Sequence, residues 1–162
     1  MAFRFVRGAG NSVEPAVINM RCSGVISPGG VVELLRTAGA GVSPASSSTT
    51  TTTIFGIGLD YVQGASDVET RVIPFVPGQI WEGDCANAAT TAQIGLRHAL
   101  SALTANRGLY IHNTGTDLGA GDAHTAIFHA LAMVGSTSGS GKLLGIFRTQ
   151  QAPTPVNSTV FL

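Results

Sequence analysis

Residues 54–84, IFGIGLDYVQGASDVETRVIPFVPGQIWEGD, constrain the fold of this chain more than any other stretch. Ile54, Phe55, Ile57 and Leu59 make one apolar run; Val68, Val72, Ile73, Phe75 and Val76 follow in a second, and Ile80 and Trp81 in a third. Polar turn residues at 63–67 and the Pro77-Gly78 pair separate them. β-branched and aromatic residues bounded by Gly, Pro and Asp are strand signals, and a 3.6-residue period is missing. The stretch predicts consecutive β-strands, and with it an all-β or β-dominated chain.

The flanks extend that reading. Residues 17–22 and 31–35 are strand-like runs separated by a Pro28-Gly29-Gly30 turn, and residues 142–149, KLLGIFRT, form another after the Ser/Gly hinge at 135–141. Residues 92–105 and 123–134 admit two readings. Ala and Leu favour helix, whereas Ile94, Leu96, His98, Leu100 and again Ile127, His129, Leu131, Met133 fall at every second position. The period of two favours a strand in residues 92–105, and residues 123–134 pose the same choice. Residues 39–53 carry a Ser/Thr run ending in five threonines, which favour extended backbone and predict a surface loop or a solvated edge strand.

At 162 residues the chain is long enough to bury one core, so the expectation is a single domain, a small β-barrel or β-sandwich. Residues 15–150 form the expected core, with an N-terminal arm at 1–14 and a C-terminal arm at 151–162. Phe3 and Phe5 alternate with Arg4, as in an edge strand or in an arm that reaches a neighbouring subunit.

Charge excludes some functions. Nine basic residues balance nine acidic ones, so the chain has no electrostatic footprint for nucleic acid or for an anionic membrane. Charged residues make up 11 %, against about 25 % in an ordinary soluble domain, which suits a surface that other molecules cover. Eight of the nine basic residues are Arg, the cation enriched at interfaces. Residues 1–12 are too poor in apolar side chains for a signal peptide, and no apolar run is long enough to cross a membrane. Cys22 and Cys85 lack CxxC spacing and read as two buried thiols in a reducing compartment.

Constellations that carry chemistry are weak. Residues 135–143, GSTSGSGKL, miss the phosphate-loop pattern at two fixed positions: Ser136 stands where its first glycine belongs and Leu143 where its Ser or Thr belongs. His98, His112, His124 and His129, with Asp117 and Asp122, could ligate a metal only by converging, and the five-residue spacing of His124 and His129 puts them on no common face. Glu82 and Asp84 form a candidate carboxylate pair for a small hydrolase. Trp81 and Tyr61 together could stack on a sugar in a carbohydrate-binding or receptor-binding module. Cys22 and Cys85 show no nucleophile signature. No catalytic residue, metal or cofactor is assigned.

The order of features resembles the cement (decoration) proteins of tailed-bacteriophage capsids. Carrying the resemblance are ISPGGVVELL, the Ser/Thr stretch, the 54–84 unit, TAQIGLRHAL and GSGKLLGIFR, within residues 25–148. In that family a Pro-Gly-Gln-Ile-Phe-x-Gly type of phrase and a closing Lys-x-Leu-Gly-x-Phe strand recur, which are residues 77–83 here, with Trp81 at the Phe position, and residues 142–147; the oligo-Thr run and the proline-containing tail depart from it. The resemblance implies a non-enzymatic virion protein on the capsid surface, made in the host cytoplasm, that binds the major capsid protein, self-associates as a trimer and stabilises the shell. Phe3, Phe5, Phe161 and Leu162 are the expected interface anchors, and Arg4 and Arg7 the expected partners of capsid carboxylates.

Overall fold

A computed structural model describes residues 3–8, 14–35, 41–46, 49–63, 68–102, 109–112, 127–135 and 141–148. Within them the chain is all-β, with one short 3-10 turn at Thr91–Gln93. The strands are β1 (Phe3–Arg7), β2 (Ile18–Cys22), β3 (Val31–Leu34), β4 (Gly41–Pro44), β5 (Ile54–Gly58), β6 (Val68–Pro74), β7 (Ile80–Asp84), β8 (Arg97–Ala102), β9 (Leu109–His112), β10 (Phe128–Val134) and β11 (Lys142–Phe147). Both segments that admitted two readings hold strands where they are described, β8 and β10, with the 3-10 turn ahead of β8.

Strands β2 to β6 close into a five-stranded barrel in the order β2-β4-β3-β5-β6, sealed by antiparallel pairing of β6 with β2. The other six form a sheet in the order β1-β7-β11-β10-β8-β9. That sheet curls back on itself. Just past β7, Cys85 bridges Ile111 of β9 in parallel, and the Ala86 N–H donates to the Ile111 carbonyl at 2.9 Å.

Two cores follow from strands buried on both faces. Cys22, Val32, Val42 and Val72 point into the barrel. Their neighbours Val31, Ile57 and Ile73, paired across β3, β5 and β6, point the other way. They join Phe3, Trp81, Phe128 and Phe147 of the six-stranded sheet in a second core. Each large side chain so buried contributes about 1.5–3 kcal/mol, and aromatic geometry adds specificity: Phe75 stacks on Phe147 at 3.9 Å, and Trp81 meets Phe75 edge-on at 5.3 Å.

Turns set the junctions. Val76-Pro77-Gly78-Gln79 puts Pro at the second position and Gly78 at φ +86° at the third, as a type II turn demands. The Gln79 N–H donates to the Val76 carbonyl at 3.2 Å, and the buried Gln79 side chain accepts from the Val76 N–H at 2.9 Å. This turn delivers β7 into the sheet between β1 and β11.

Two expectations are corrected. Residues 3–7, placed in an N-terminal arm, are the edge strand of the sheet, because Phe3 and Phe5 on one face find the aromatic core. The oligo-Thr segment is not solvated throughout: β4 lies inside residues 39–53 as a barrel strand, and Thr49 and Thr51 are buried. Threonine hydroxyls stand in for the missing ladder partners there. Thr49 Oγ1 accepts from the Ser46 N–H at 2.8 Å and donates to Glu33 Oε2 at 2.8 Å, while Thr53 Oγ1 accepts from the Thr50 N–H at 3.1 Å. The C-terminal arm at 151–162 lies outside the described residues.

Candidate functional site

Strand β7 organises the charged surface of the six-stranded sheet. Alternation sends Trp81 and Gly83 to the aromatic core and Glu82 to the opposite face, between β1 and β11. Arg4 stands directly across from Glu82 on β1, and Lys142 lies diagonal to it on β11. Arg4 Nη2 donates to Glu82 Oε2 at 2.8 Å and Lys142 Nζ to Oε1 at 2.9 Å; Asp84 Oδ1 lies 3.7 Å from the same ammonium.

Glu82 is only 7 % exposed, yet the affinity of its carboxyl for a proton is lowered. The hydrogen bond from Lys142 dominates, burial opposes it, and the Arg4 bond adds to the lowering. Lys142 is correspondingly held protonated, chiefly by its bond to Glu82. A general acid for glycoside hydrolysis needs the reverse, a carboxyl whose proton is retained near neutral pH. Glu82 and Asp84 therefore form part of a closed structural network that pins the edge strand to the sheet.

The other candidates for chemistry do not converge. Trp81 is 1 % exposed and Tyr61 63 %, so the two aromatics share no sugar-binding surface. His98 is buried, its Nε2–H donating to the Gln93 carbonyl at 3.2 Å, a satisfied core histidine. His112 is exposed and His129 half-buried; His124, Asp117 and Asp122 lie outside the described residues. Among the described residues no group of three or more His, Cys, Asp or Glu is placed to hold a metal ion. Cys22 and Cys85 are free and buried in different cores, and burial pushes the Cys85 thiol up to about 12, helped by the nearby Asp84 charge.

The expected interface residues divide. Phe3 is 1 % exposed and packs on Phe128 and Phe147, which corrects its assignment as an outward anchor: the hydrophobic effect satisfies it within its own chain. Phe5 packs edge-on against Trp81 and is half-buried. Arg4 is tied to Glu82 but leaves 65 % of its side chain in solvent. Arg7 is exposed at the end of β1. Phe161 and Leu162 lie outside the described residues.

Two exposed apolar positions missed by the sequence reading sit at irregularities of the sheet. Val6 is left over by a register shift between Phe5 and Arg7, and Leu131 by one between Ala130 and Ala132. Ile94 comes beside Leu131 because the Gly95 N–H donates to the Ala130 carbonyl at 2.9 Å. A β-bulge inserts an unpaired residue that breaks the alternation, and it has no residue signature in these segments. No protein-family model and no curated protein matches the chain.

Proposed function

We propose that this chain is a non-enzymatic virion structural protein that binds and stabilises the outer surface of a tailed-phage capsid, contacting the major capsid protein and associating with further copies of itself, as a trimer. The observation that carries the reading is the placement of the two phrases behind the resemblance. Residues 77–83 and 142–147 are a turn with β7 and the strand β11, hydrogen-bonded neighbours inside one sheet, with Leu143 opposite Gly83 and Gly145 opposite Trp81. Both phrases use glycine for the same purpose. A Cβ on Gly83 would meet the Phe3 ring, and one on Gly145 the Phe128 ring and the His129 carbonyl. Matching glycines in paired strands thus belong to one packing solution.

The rest of the molecule suits that role. The carboxylates around β7 are engaged in structure, and Val6, Leu131, Ile94 and Tyr61 stand exposed on an otherwise weakly charged chain. Many modest contacts repeated over a lattice suffice for a shell-bound protein. The test is the mass of the purified protein by light scattering, followed by co-sedimentation with empty capsids of the virus that encodes it. Trimers that pellet with shells are expected. A monomer that stays in the supernatant overturns the proposal.

A further inference from the structure

β1 ends the order of the six-stranded sheet, and its main chain shows which way its unpaired edge faces. The Phe3 N–H donates not to β7 but to the Gly29 carbonyl of the barrel, at 3.2 Å. With a period of two, the N–H and C=O of Phe5 also point away from β7. Among the described residues, the Ser27–Gly30 loop meets this edge by a main-chain hydrogen bond at Phe3. Beyond it Val6 is 41 % exposed, and Arg4 and Arg7 are exposed on either side.

Both charged residues of β1 are positive. Arg4 has Glu82, whereas among the described residues no carboxylate pairs with Arg7. If a second copy paired through the same edge, it would gather four guanidinium groups along one short ribbon. Like charges and a bulge are the devices by which native edges reject self-pairing. The same charges favour a partner strand of opposite sign, because complementary potentials both steer and select.

We infer that the β1 edge accepts an extended acidic segment of another protein by strand addition, the Phe5 main chain supplying ladder hydrogen bonds and Arg7 pairing with a carboxylate of the incoming strand. Applied to the capsid reading, on which it rests for the partner's identity, this places one shell contact at β1 and leaves self-association to other surfaces. The binding event itself is measurable without a shell.

The probe is a fluorescent, end-blocked peptide of four Glu-Val repeats, followed by anisotropy at low salt, with a Lys-Val peptide of equal length as its counterpart. The acidic peptide is expected to bind and the basic one not. Arg7→Glu, at an exposed position, is expected to weaken binding about tenfold, and N-methylation of alternate peptide amides to abolish it. Equal binding of both peptides, indifference to N-methylation, or no binding up to about 1 mM peptide overturns the inference. Two separate measurements keep the claims apart: the peptide result judges the edge, and pelleting of the unsubstituted protein with capsids judges the function.

Discussion

Phe3 meets Phe147 edge-on, ring centroids 5.0 Å apart, so that the first strand and β11, two places away in the same sheet, pack into one core. Phe3 also touches Phe128 at 5.9 Å. Truncating a buried phenylalanine costs about 3–5 kcal/mol, which for a chain of this size lowers Tm by roughly 10 °C. Phe3→Ala is expected to show that loss in a calorimetric scan. Deleting residues 1–8 is expected to cost more, since it also removes the Arg4 bond to Glu82 and the β1 ladder. A truncated protein with unchanged Tm would mean that β1 is a detachable arm after all.

Glu82 gives the fold a specific acid sensitivity. Because Lys142 first and Arg4 after it lower its proton affinity in the folded chain, the native state binds that proton less readily than the unfolded state. Its contribution is thus fully present above the ordinary carboxylate range and is lost as pH falls through the lowered folded value. Asp60, held low by its hydrogen bonds from Arg71, acts in the same direction. Urea midpoints measured from about pH 7 to about pH 3 should fall on acidification. Glu82→Gln should lose about 1.5–3 kcal/mol at neutral pH and show a shallower fall. An unchanged acid slope in Glu82→Gln would assign the sensitivity to other carboxylates.

How much of this was legible in the sequence depends on how many faces of each strand are buried. The apolar runs of β5 and β6 announced strands because barrel interior and sheet core claim opposite faces, as with Val72 and Ile73. For β1 the alternation of Phe3, Arg4 and Phe5 was visible, but not which partner would cover the phenylalanines. That answer lies in Phe128 and Phe147, far along the chain. The Glu82 network was hidden for the same reason: Arg4 and Lys142 are 78 and 60 residues away and meet only through strand register. Composition alone made the threonine run look solvated, whereas Glu33 and main-chain amides engage it from within the barrel wall.

Two glycines separate steric crowding from backbone strain. A Cβ on Gly56 would strike the Ile73 carbonyl oxygen and lie 2.9 Å from Val72 Cγ1, in the wall between β5 and β6, where neither neighbour can retreat. Gly135 has open space around it and a φ of +92°, so alanine there meets only the left-handed backbone penalty. Gly56→Ala should cost about 3 kcal/mol and Gly135→Ala about 1–2 kcal/mol, compared by chemical denaturation. The reverse order would show that the β5–β6 wall yields.

Cys85 should be chemically silent in the folded protein. It lies in the sheet core immediately after β7, its N–H donates to the Gly141 carbonyl at 2.9 Å, and burial with the adjacent Asp84 charge raises its thiol to about 12. Cys22, inside the barrel, is raised by burial alone. Thiolate is the reactive form, so both cysteines lack it at neutral pH and lack access as well. Titration with a chromogenic disulfide at about pH 8 should release nothing on the timescale of a free thiol, and two equivalents once the chain is unfolded in guanidinium. Because the two thiols occupy different cores, Cys22→Ser and Cys85→Ser report separately on barrel and sheet. Exposure of Cys22 ahead of Cys85 during slow unfolding would show that the barrel opens first, and simultaneous exposure that the shared wall of Val31, Ile57 and Ile73 makes them one cooperative unit.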